Sequence, residues 1–84
     1  MNVIYRRKQY NIYKIRKNNF IVHNTSKQFK DGHTHINNYN AAKVVIAMSI
    51  NKTVPYNLSK YLIESIIRIS TDKAYIEELK TLLV

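Results

Sequence analysis

The chain of 84 residues contains no cysteine and a single glycine. The absence of cysteine excludes disulfide bonds, thiolate zinc sites, iron–sulfur clusters and cysteine nucleophiles. With Gly32 as its only glycine, the chain has no glycine-rich loop that could cradle a phosphate. The length also excludes large cofactor folds such as a dinucleotide-binding domain or an eightfold α/β barrel. We therefore expect one domain, residues 1–84, that carries no cofactor.

Carboxylates are scarce, since five Asp and Glu stand against fourteen Lys and Arg and give a formal charge of +9. Four of the five lie in the last 21 residues, at a spacing typical of solvated helix faces. No paired carboxylates and no Ser-His-Asp arrangement can be assembled from these residues. We therefore predict that the protein is not an enzyme.

Long apolar runs are also missing. The longest nearly apolar run, Val44–Ile50, is seven residues, whereas a membrane span needs roughly 20. The charges of residues 1–8 are not followed by the apolar stretch of a signal peptide. We expect a cytoplasmic protein with no membrane partner.

The composition indicates a packed hydrophobic core and the kind of genome that encodes the protein. A hydrophobic content of 45% is sufficient for a packed interior. Asn, Lys, Ile and Tyr, whose codons are AT-rich, make up 39 of the 84 residues. We expect a phage or mobile-element protein from an AT-rich genome, with an accessory role such as the inhibition of a host defence or regulatory complex.

Positive charge is concentrated in the first third of the chain. Residues 1–30 contain eight Lys and Arg and no acid, whereas residues 57–84 carry no net charge. A codon bias would spread lysine along the whole chain, so it does not explain this asymmetry. A concentrated field of one sign attracts polyanions and accelerates their encounter.

The basic third has the composition of β-structure. Residues 10–16 and 20–23 are rich in aromatic and β-branched side chains, and Asn18–Asn19 fits a two-residue turn between them. This turn predicts a hairpin with one apolar and one basic face. The predicted core face carries Tyr13, Ile15, Phe20 and Val22, and the predicted solvent face carries Ile12, Lys14, Arg16, Ile21 and His23.

After residue 36 the spacing of apolar residues changes from the alternation of a strand to the period of a helix. His33–Ile36 fits a third strand, and apolar positions then follow helical spacing over Tyr39–Asn51, with Asn37 or Asn38 as the N-cap. A second helix is predicted over Leu58–Ser70.

Asn57 is the predicted cap of the second helix, and a third helix follows the break at Thr71 and Asp72, with Thr71 as a candidate cap. The predicted fold class is α+β. An N-terminal β-hairpin or three-stranded antiparallel meander, the basic β portion of residues 1–36, packs on the three-helix portion of residues 37–84.

Rings and cations alternate near the start of the chain. Proteins that bind single-stranded nucleic acid use such mixtures, because bases stack on rings while Lys and Arg neutralise phosphates. We predict a non-enzymatic nucleic acid binding protein, with RNA or DNA as its partner. The predicted binding residues, expected to form a single patch, are Tyr5, Arg6, Arg7, Lys8, Tyr10, Lys14, Arg16 and Lys17.

Two alternatives use the same basic surface. It could dock on the acidic surface of a protein in a nucleic-acid-handling complex, without contacting nucleic acid. The hairpin could also extend the sheet of a protein partner as an adaptor or inhibitor. A homodimer is a further option, because a core of this size gains stability from a second copy.

Two weaker alternatives involve other residues. His33 and His35, with His23, have a spacing compatible with a metal site or a small histidine-based metal-dependent enzyme, although we expect them to be surface residues and predict no metal. The second alternative is a helix-turn-helix regulator built from the first two helices. Its outward-facing residues would be Ser59, Lys60, Glu64, Ser65 and Arg68.

Overall fold

The computed structural model describes residues 2–84, and it has a four-stranded antiparallel sheet followed by three helices. The α+β class is confirmed, and the sheet is a meander with the strand order β1-β2-β3-β4. The strands are β1 (Asn2–Arg7), β2 (Tyr10–Arg16), β3 (Asn19–Asn24) and β4 (His33–Ile36). The helices are α1 (Tyr39–Asn51), α2 (Lys60–Ile69) and α3 (Lys73–Thr81).

The ends of two elements were predicted correctly. β4 spans His33–Ile36 and α1 spans Tyr39–Asn51, as their patterns indicate. Asn38 caps α1, because its side-chain oxygen accepts a hydrogen bond from the Ala41 amide at 2.9 Å. The clear change from alternating to helical spacing explains why this boundary is readable.

The other helices begin later than predicted. Ser59, not Asn57, caps α2, and its hydroxyl accepts the Leu62 amide at 3.3 Å. Asp72, not Thr71, caps α3 and accepts the Tyr75 amide at 3.0 Å. In both places several neighbouring Ser, Thr, Asn or Asp residues are suitable caps, so the sequence alone does not choose among them.

Over Phe20–His23, the register of the β2–β3 hairpin differs from the prediction by three residues in β2. The turn is Lys17–Asn18, where Asn18 has φ of 57°, a left-handed conformation that Asn tolerates. The earlier turn moves the pairing by two residues, and a bulge between Lys14 and Arg16 moves it by one more, so that Ile12 pairs with Val22. Because side chains alternate along a strand, a shift of one residue moves each one to the opposite face.

The inner face of the sheet, which carries Ile12, Phe20 and Val22, forms the core with the helices. Ile12 and Val22 are fully buried, together with Ile46 of α1 and Ile66 of α2. Burying a side chain of this size contributes roughly 1.5–3 kcal/mol. The predicted core residue Tyr13 lies instead on the outer face, and Ile15, in the bulge, is 39% exposed.

One polar side chain of the inner face is also fully buried. The Asn24 amide donates to the Ile69 carbonyl at 2.7 Å, and its oxygen accepts from the amide and hydroxyl of Ser26. A buried polar group is tolerated only when it is hydrogen-bonded. Asn24 thus ties the end of β3 to the end of α2.

The two edges of the sheet differ. The backbone carbonyls of His33 and His35 in β4 accept hydrogen bonds from the Arg68 guanidinium and the Tyr61 hydroxyl of α2. Side chains of α2 therefore cover this edge. β1 has a hydrogen-bonded neighbour on one side only, so its outer edge is open within residues 2–84.

The helices leave the outer face of the sheet uncovered. α1 and α2 pack against β3 and β4 through the inner face. None of the helices in residues 2–84 has the length and apolar character needed to cross a membrane.

Candidate nucleic-acid interface

The predicted basic residues do not form a single patch. Arg6 and Arg16 lie on the outer face, whereas Arg7 and Lys14 lie at opposite rims of the inner face. Lys8 lies in the β1–β2 turn, at the far end of β2 from Arg16.

Lys17 lies in the β2–β3 turn. Because β2 is seven residues long, its ends are roughly 20 Å apart. The structure therefore separates the cations into two basic ends, the first with Arg6, Arg7 and Lys8 and the second with Lys14, Arg16 and Lys17. The prediction of one patch was wrong because a strand of alternating orientation links the two groups of cations.

These cations are not neutralised by the carboxylates of the helices. Among residues 2–84 the ion pairs are Lys52–Asp72 and Lys80–Glu77, both at 3.4 Å. Neither pair involves a residue of the two basic ends, whose side chains are all exposed. The positive field of the first third of the chain is therefore directed to solvent.

The two tyrosines predicted to stack on bases belong to the inner face. Tyr10 is 3% exposed, and its hydroxyl lies 2.7 Å from the Ser49 hydroxyl. Tyr5 is half-buried, with its ring edge-on to Tyr39 at 6.4 Å between centroids and near the Lys43 ammonium group. Burial removes Tyr10 from any binding surface, and its assignment as a stacking residue is corrected accordingly.

Other aromatic side chains occupy the outer face. Tyr13 of β2, Ile21 of β3 and His35 of β4 lie side by side across three strands. Ile21 is only 4% exposed although no helix of residues 2–84 covers it, because the flanking side chains shield it. The centre of the outer face is thus an apolar and aromatic surface between the two basic ends.

The three histidines also lie on the outer face, together with Phe29 from the loop of residues 25–32. The His33 ring stacks on Phe29 at 4.3 Å between centroids and lies 5.3 Å from the His35 ring. His33 Nδ1 hydrogen-bonds the Phe29 carbonyl, and His23 Nε2 lies 3.1 Å from the Lys27 carbonyl. These contacts form a row of rings on the β3–β4 side of the outer face, separated from Arg6 by Asn11 of β2.

The histidines contact backbone and aromatic groups, and their nitrogen atoms do not converge on a common point. Within the described part of the chain, no group of three or more His, Cys, Asp or Glu is arranged to hold a metal ion. The site residues that the structure brings together therefore have hydrogen-bonding, stacking and charge chemistry.

A wide-open surface cleft of about 390 Å³, called the cavity below, lies at the second basic end. The hairpin contributes Arg16 and Lys17 to its wall, and α2 contributes the half-exposed ring of Tyr61. Three amide side chains, Asn18, Asn19 and Asn37, complete most of its polar lining, with His35 beside them. The cavity adjoins the outer face, because Arg16, Asn19 and His35 belong to both.

A smaller cavity of about 180 Å³ lies at the first basic end, between the β1–β2 turn and the start of α3. Its interior wall is a chain of buried hydroxyls in which Ser49 lies 2.7 Å from Tyr10 and 3.1 Å from Ser70. Ser70 donates to the Ile66 carbonyl at 2.6 Å. Because the hydroxyls satisfy one another, this chain ties the sheet to the ends of α1 and α2.

The pKa values of two groups in this region differ from their ordinary values. The backbone amide of Tyr75 hydrogen-bonds the Asp72 carboxylate and, with the neighbouring Lys52, lowers the pKa of Asp72. Burial raises the pKa of Tyr75 to about 12, and the nearby Tyr10 and Glu78 add to this shift. Asp72 therefore caps α3 as a carboxylate, and Tyr75 remains a neutral phenol whose hydroxyl donates to the Thr53 carbonyl at 2.7 Å.

The predicted recognition surface of α2 is largely engaged inside the protein. Ser65 is 2% exposed and accepts a hydrogen bond from the Thr34 hydroxyl at 2.9 Å. The guanidinium of Arg68 donates to the His33 carbonyl at 3.0 Å, and Ser59 caps the helix. The prediction that Ser65 points outward was wrong, and α2 serves to cover the edge of β4.

Comparison of the chain with protein-family models, curated proteins and solved structures finds no match in any of the three. The outer face and its cavity are therefore interpreted from their own chemistry.

The prediction from sequence missed four ring-bearing residues that the structure places at the interface. The bulge between Lys14 and Arg16 was not predicted, so Tyr13 was assigned to the core face, and Tyr61 was not among the outward-facing residues predicted for α2. No glycine marks the bulge in the sequence of β2, so the register that it sets is not readable there. The missed residues are Tyr13, Phe29, His35 and Tyr61.

Proposed function

We propose that the protein binds single-stranded nucleic acid across the outer face of its sheet. One observation carries this proposal: an uncovered sheet face presents rings between two basic ends. Exposed sheets with aromatic side chains stack unpaired bases, and flanking cations contact the phosphates. The separation of the basic ends, roughly 20 Å along β2, would be spanned by several nucleotides.

The geometry favours a single strand over a duplex. Binding in the major groove of DNA requires a protruding helix or a two-stranded ribbon, whereas the basic ends of this protein flank a broad sheet. The rings of Tyr13 and His35 can stack only on bases that are not paired within a helix. The proposed role in a phage or mobile element, as a regulator or inhibitor of nucleic-acid machinery, rests on composition alone.

The proposal is tested by fluorescence anisotropy with labelled single-stranded DNA and RNA at several salt concentrations. We expect the affinity to fall as salt rises, with a slope of log K against log salt that changes by about 0.7 for each phosphate that the protein neutralises. The double variant Arg6→Glu/Arg16→Glu should bind at least about tenfold more weakly, because two attractive phosphate contacts become repulsive.

A control variant makes the same charge change elsewhere in the molecule. The double variant Lys73→Glu/Lys80→Glu reverses two exposed charges on α3, away from the outer face. Its affinity should fall much less than that of Arg6→Glu/Arg16→Glu. An equal decrease in both variants would mean that only net charge matters, and no binding at low salt would refute the proposed function.

A second candidate function, the docking of an acidic protein strand, is favoured by the open edge of β1. Added strands pair with exposed edges through backbone hydrogen bonds, and Arg6 and Arg7 lie on this edge strand. A pull-down with nuclease treatment of the eluate separates the two functions. A protein partner that survives the treatment, together with absent nucleic-acid binding in the anisotropy assay, would favour this candidate.

A further inference from the structure

The cavity at the second basic end combines cations, a ring and amides, the three kinds of groups that a nucleobase and its phosphate require. We propose that this cavity is a subsite for one unpaired nucleobase, which gives the protein a base preference at one position of the strand. The inference rests on the proposed function. It adds a specificity that a basic surface alone does not have, because phosphate contacts carry no sequence information.

The size and position of the cavity suit such a ligand. Its volume of about 390 Å³ lies within the range of small-molecule sites, roughly 300–1,000 Å³. Arg16 belongs to the cavity wall and to the outer face, so a strand lying on the outer face would reach the cavity without a change of direction. Lys17 lies beside it in the turn and could neutralise the adjoining phosphate.

Tyr61 provides a fixed stacking surface. Its ring is 49% exposed, and its hydroxyl donates to the backbone carbonyl of His35. The ring is thus held at both ends, by the backbone of α2 and by β4. A ring that is already immobilised loses little conformational freedom when a base stacks on it.

The amides distinguish a base from a phosphate. Within residues 2–84 the side chains of Asn18, Asn19 and Asn37 make no hydrogen bond to the protein, so their donors and acceptors are available to a ligand. A phosphate can only accept hydrogen bonds, and Lys or Arg alone would serve it. A base edge presents donors and acceptors together, and an Asn amide pairs with such an edge through two hydrogen bonds, as it does with adenine.

The test compares affinities for single-stranded homopolymers of the four DNA bases at one salt concentration. We expect the wild-type protein to prefer one base at least about fivefold, the discrimination that one bidentate pair provides. The double variant Asn19→Ala/Asn37→Ala should reduce this preference to less than about twofold while retaining salt-dependent binding. Asn51→Ala, which removes an exposed amide of α1, is the matched control and should keep the preference.

A second pair of variants tests the stacking surface. Tyr61→Ala should weaken binding of the preferred homopolymer by about 5- to 150-fold, the decrease expected when one base no longer stacks. Tyr61→Phe retains the ring and should bind much more tightly than the alanine variant. A circular dichroism spectrum and a thermal unfolding curve establish that each variant is folded before its affinity is interpreted.

The outcomes separate this inference from the proposed function. Salt-dependent binding with equal affinity for all four homopolymers, or a preference that survives Asn19→Ala/Asn37→Ala, overturns the base subsite and leaves the proposed function standing. Absence of binding to every homopolymer at low salt overturns both. Disappearance of the preference in the amide variant alone, with Asn51→Ala unchanged, supports the subsite.

Discussion

The two faces of the sheet are made from the same four strands and have opposite properties. The inner face is sealed by α1 and α2, and its central side chains, Ile12 and Val22, are fully buried. The outer face has rings at its centre and cations at its ends, and no helix of residues 2–84 lies on it. In this small domain one face therefore provides stability and the other remains available for binding.

This comparison shows why the total charge of the chain says little about its function. The strands direct Arg6 and Arg16 outward and place Arg7 and Lys14 at the rims of the inner face. Neighbours in sequence thus contribute to different surfaces. Substitutions on the two faces test this division, and their effects on stability are expected to decrease from the centre of the core outward.

The largest loss of stability is expected at Ile12 of β2, and Ile15 of the same strand provides the comparison. Ile12→Ala removes a fully buried side chain of the inner face and should lower the free energy of unfolding by about 2–5 kcal/mol, because it leaves a cavity. Ile15→Ala, at a 39% exposed position of the same strand, should cost less than about 1 kcal/mol. Chemical denaturation measures both values, and equal decreases would contradict the assignment of the faces.

The second-largest loss of stability is expected on substitution of Asn24 on the inner face. Asn24→Ala leaves the Ile69 carbonyl and the Ser26 amide without their partner and should cost about 1–3 kcal/mol. Asn11→Ala, on the outer face, removes only a 3.3 Å hydrogen bond to the Tyr13 hydroxyl. Urea unfolding should therefore rank Asn24→Ala well below Asn11→Ala in stability, and the reverse order would refute the anchoring role of Asn24.

A pH-dependent effect is expected from Tyr75, which packs in the helical layer over the inner face. Because burial raises its pKa to about 12, the folded state favours the neutral phenol over its ionised form. Its stabilising contribution is complete below about pH 10, the ordinary pKa of tyrosine, and is lost as the pH rises from about 10 to about 12.

Melting temperatures measured between about pH 9 and pH 12 test this expectation. The melting temperature should fall less with rising pH in Tyr75→Phe, which has no phenol to ionise, than in the wild type. Tyr56→Phe, at an 80% exposed position, is the control and should follow the wild-type curve. If Tyr75→Phe follows that curve too, Tyr75 does not cause the alkaline loss of stability.

The smallest effect on stability is expected from Tyr13 at the centre of the outer face. Tyr13→Ala removes cross-strand pairs with Val3 and Ile21 and the hydrogen bond from Asn11, and each lost pair should cost about 0.2–1 kcal/mol. Its effect should appear in nucleic-acid affinity instead, as a decrease of about 5- to 150-fold for one stacked base. Tyr13→Phe keeps the ring and should bind almost normally; a decrease as large as that of the alanine variant would exclude stacking.

The fold class and several elements are predictable because their signals are local. The helical spacing of α1 and the cap at Asn38 are encoded within a few residues. β1 was not predicted as a strand, because its polar and charged residues Asn2, Arg6 and Arg7 interrupt any clear alternation. Such an edge strand is specified mainly by its pairing with β2.

The candidate site was harder to predict because it depends on register. Moving the turn from Asn18–Asn19 to Lys17–Asn18 shifts the pairing by two residues and keeps the faces of β2, whereas the bulge between Lys14 and Arg16 exchanges them. That exchange moves Tyr13 to the outer face and Ile12 to the core. The role of Tyr61 depends on its hydrogen bond to His35 of β4, which lies 26 positions away in the chain and leaves no local pattern.

The covering of β4 by Tyr61 and Arg68 also limits how copies of this chain can associate through their strands. Within residues 2–84, each molecule offers one unoccupied sheet edge, along β1. If two copies paired there, both edges would be occupied and a third copy would find no strand to join. Strand addition at β1 would therefore stop at two copies, whereas sheets with two exposed edges can extend without limit.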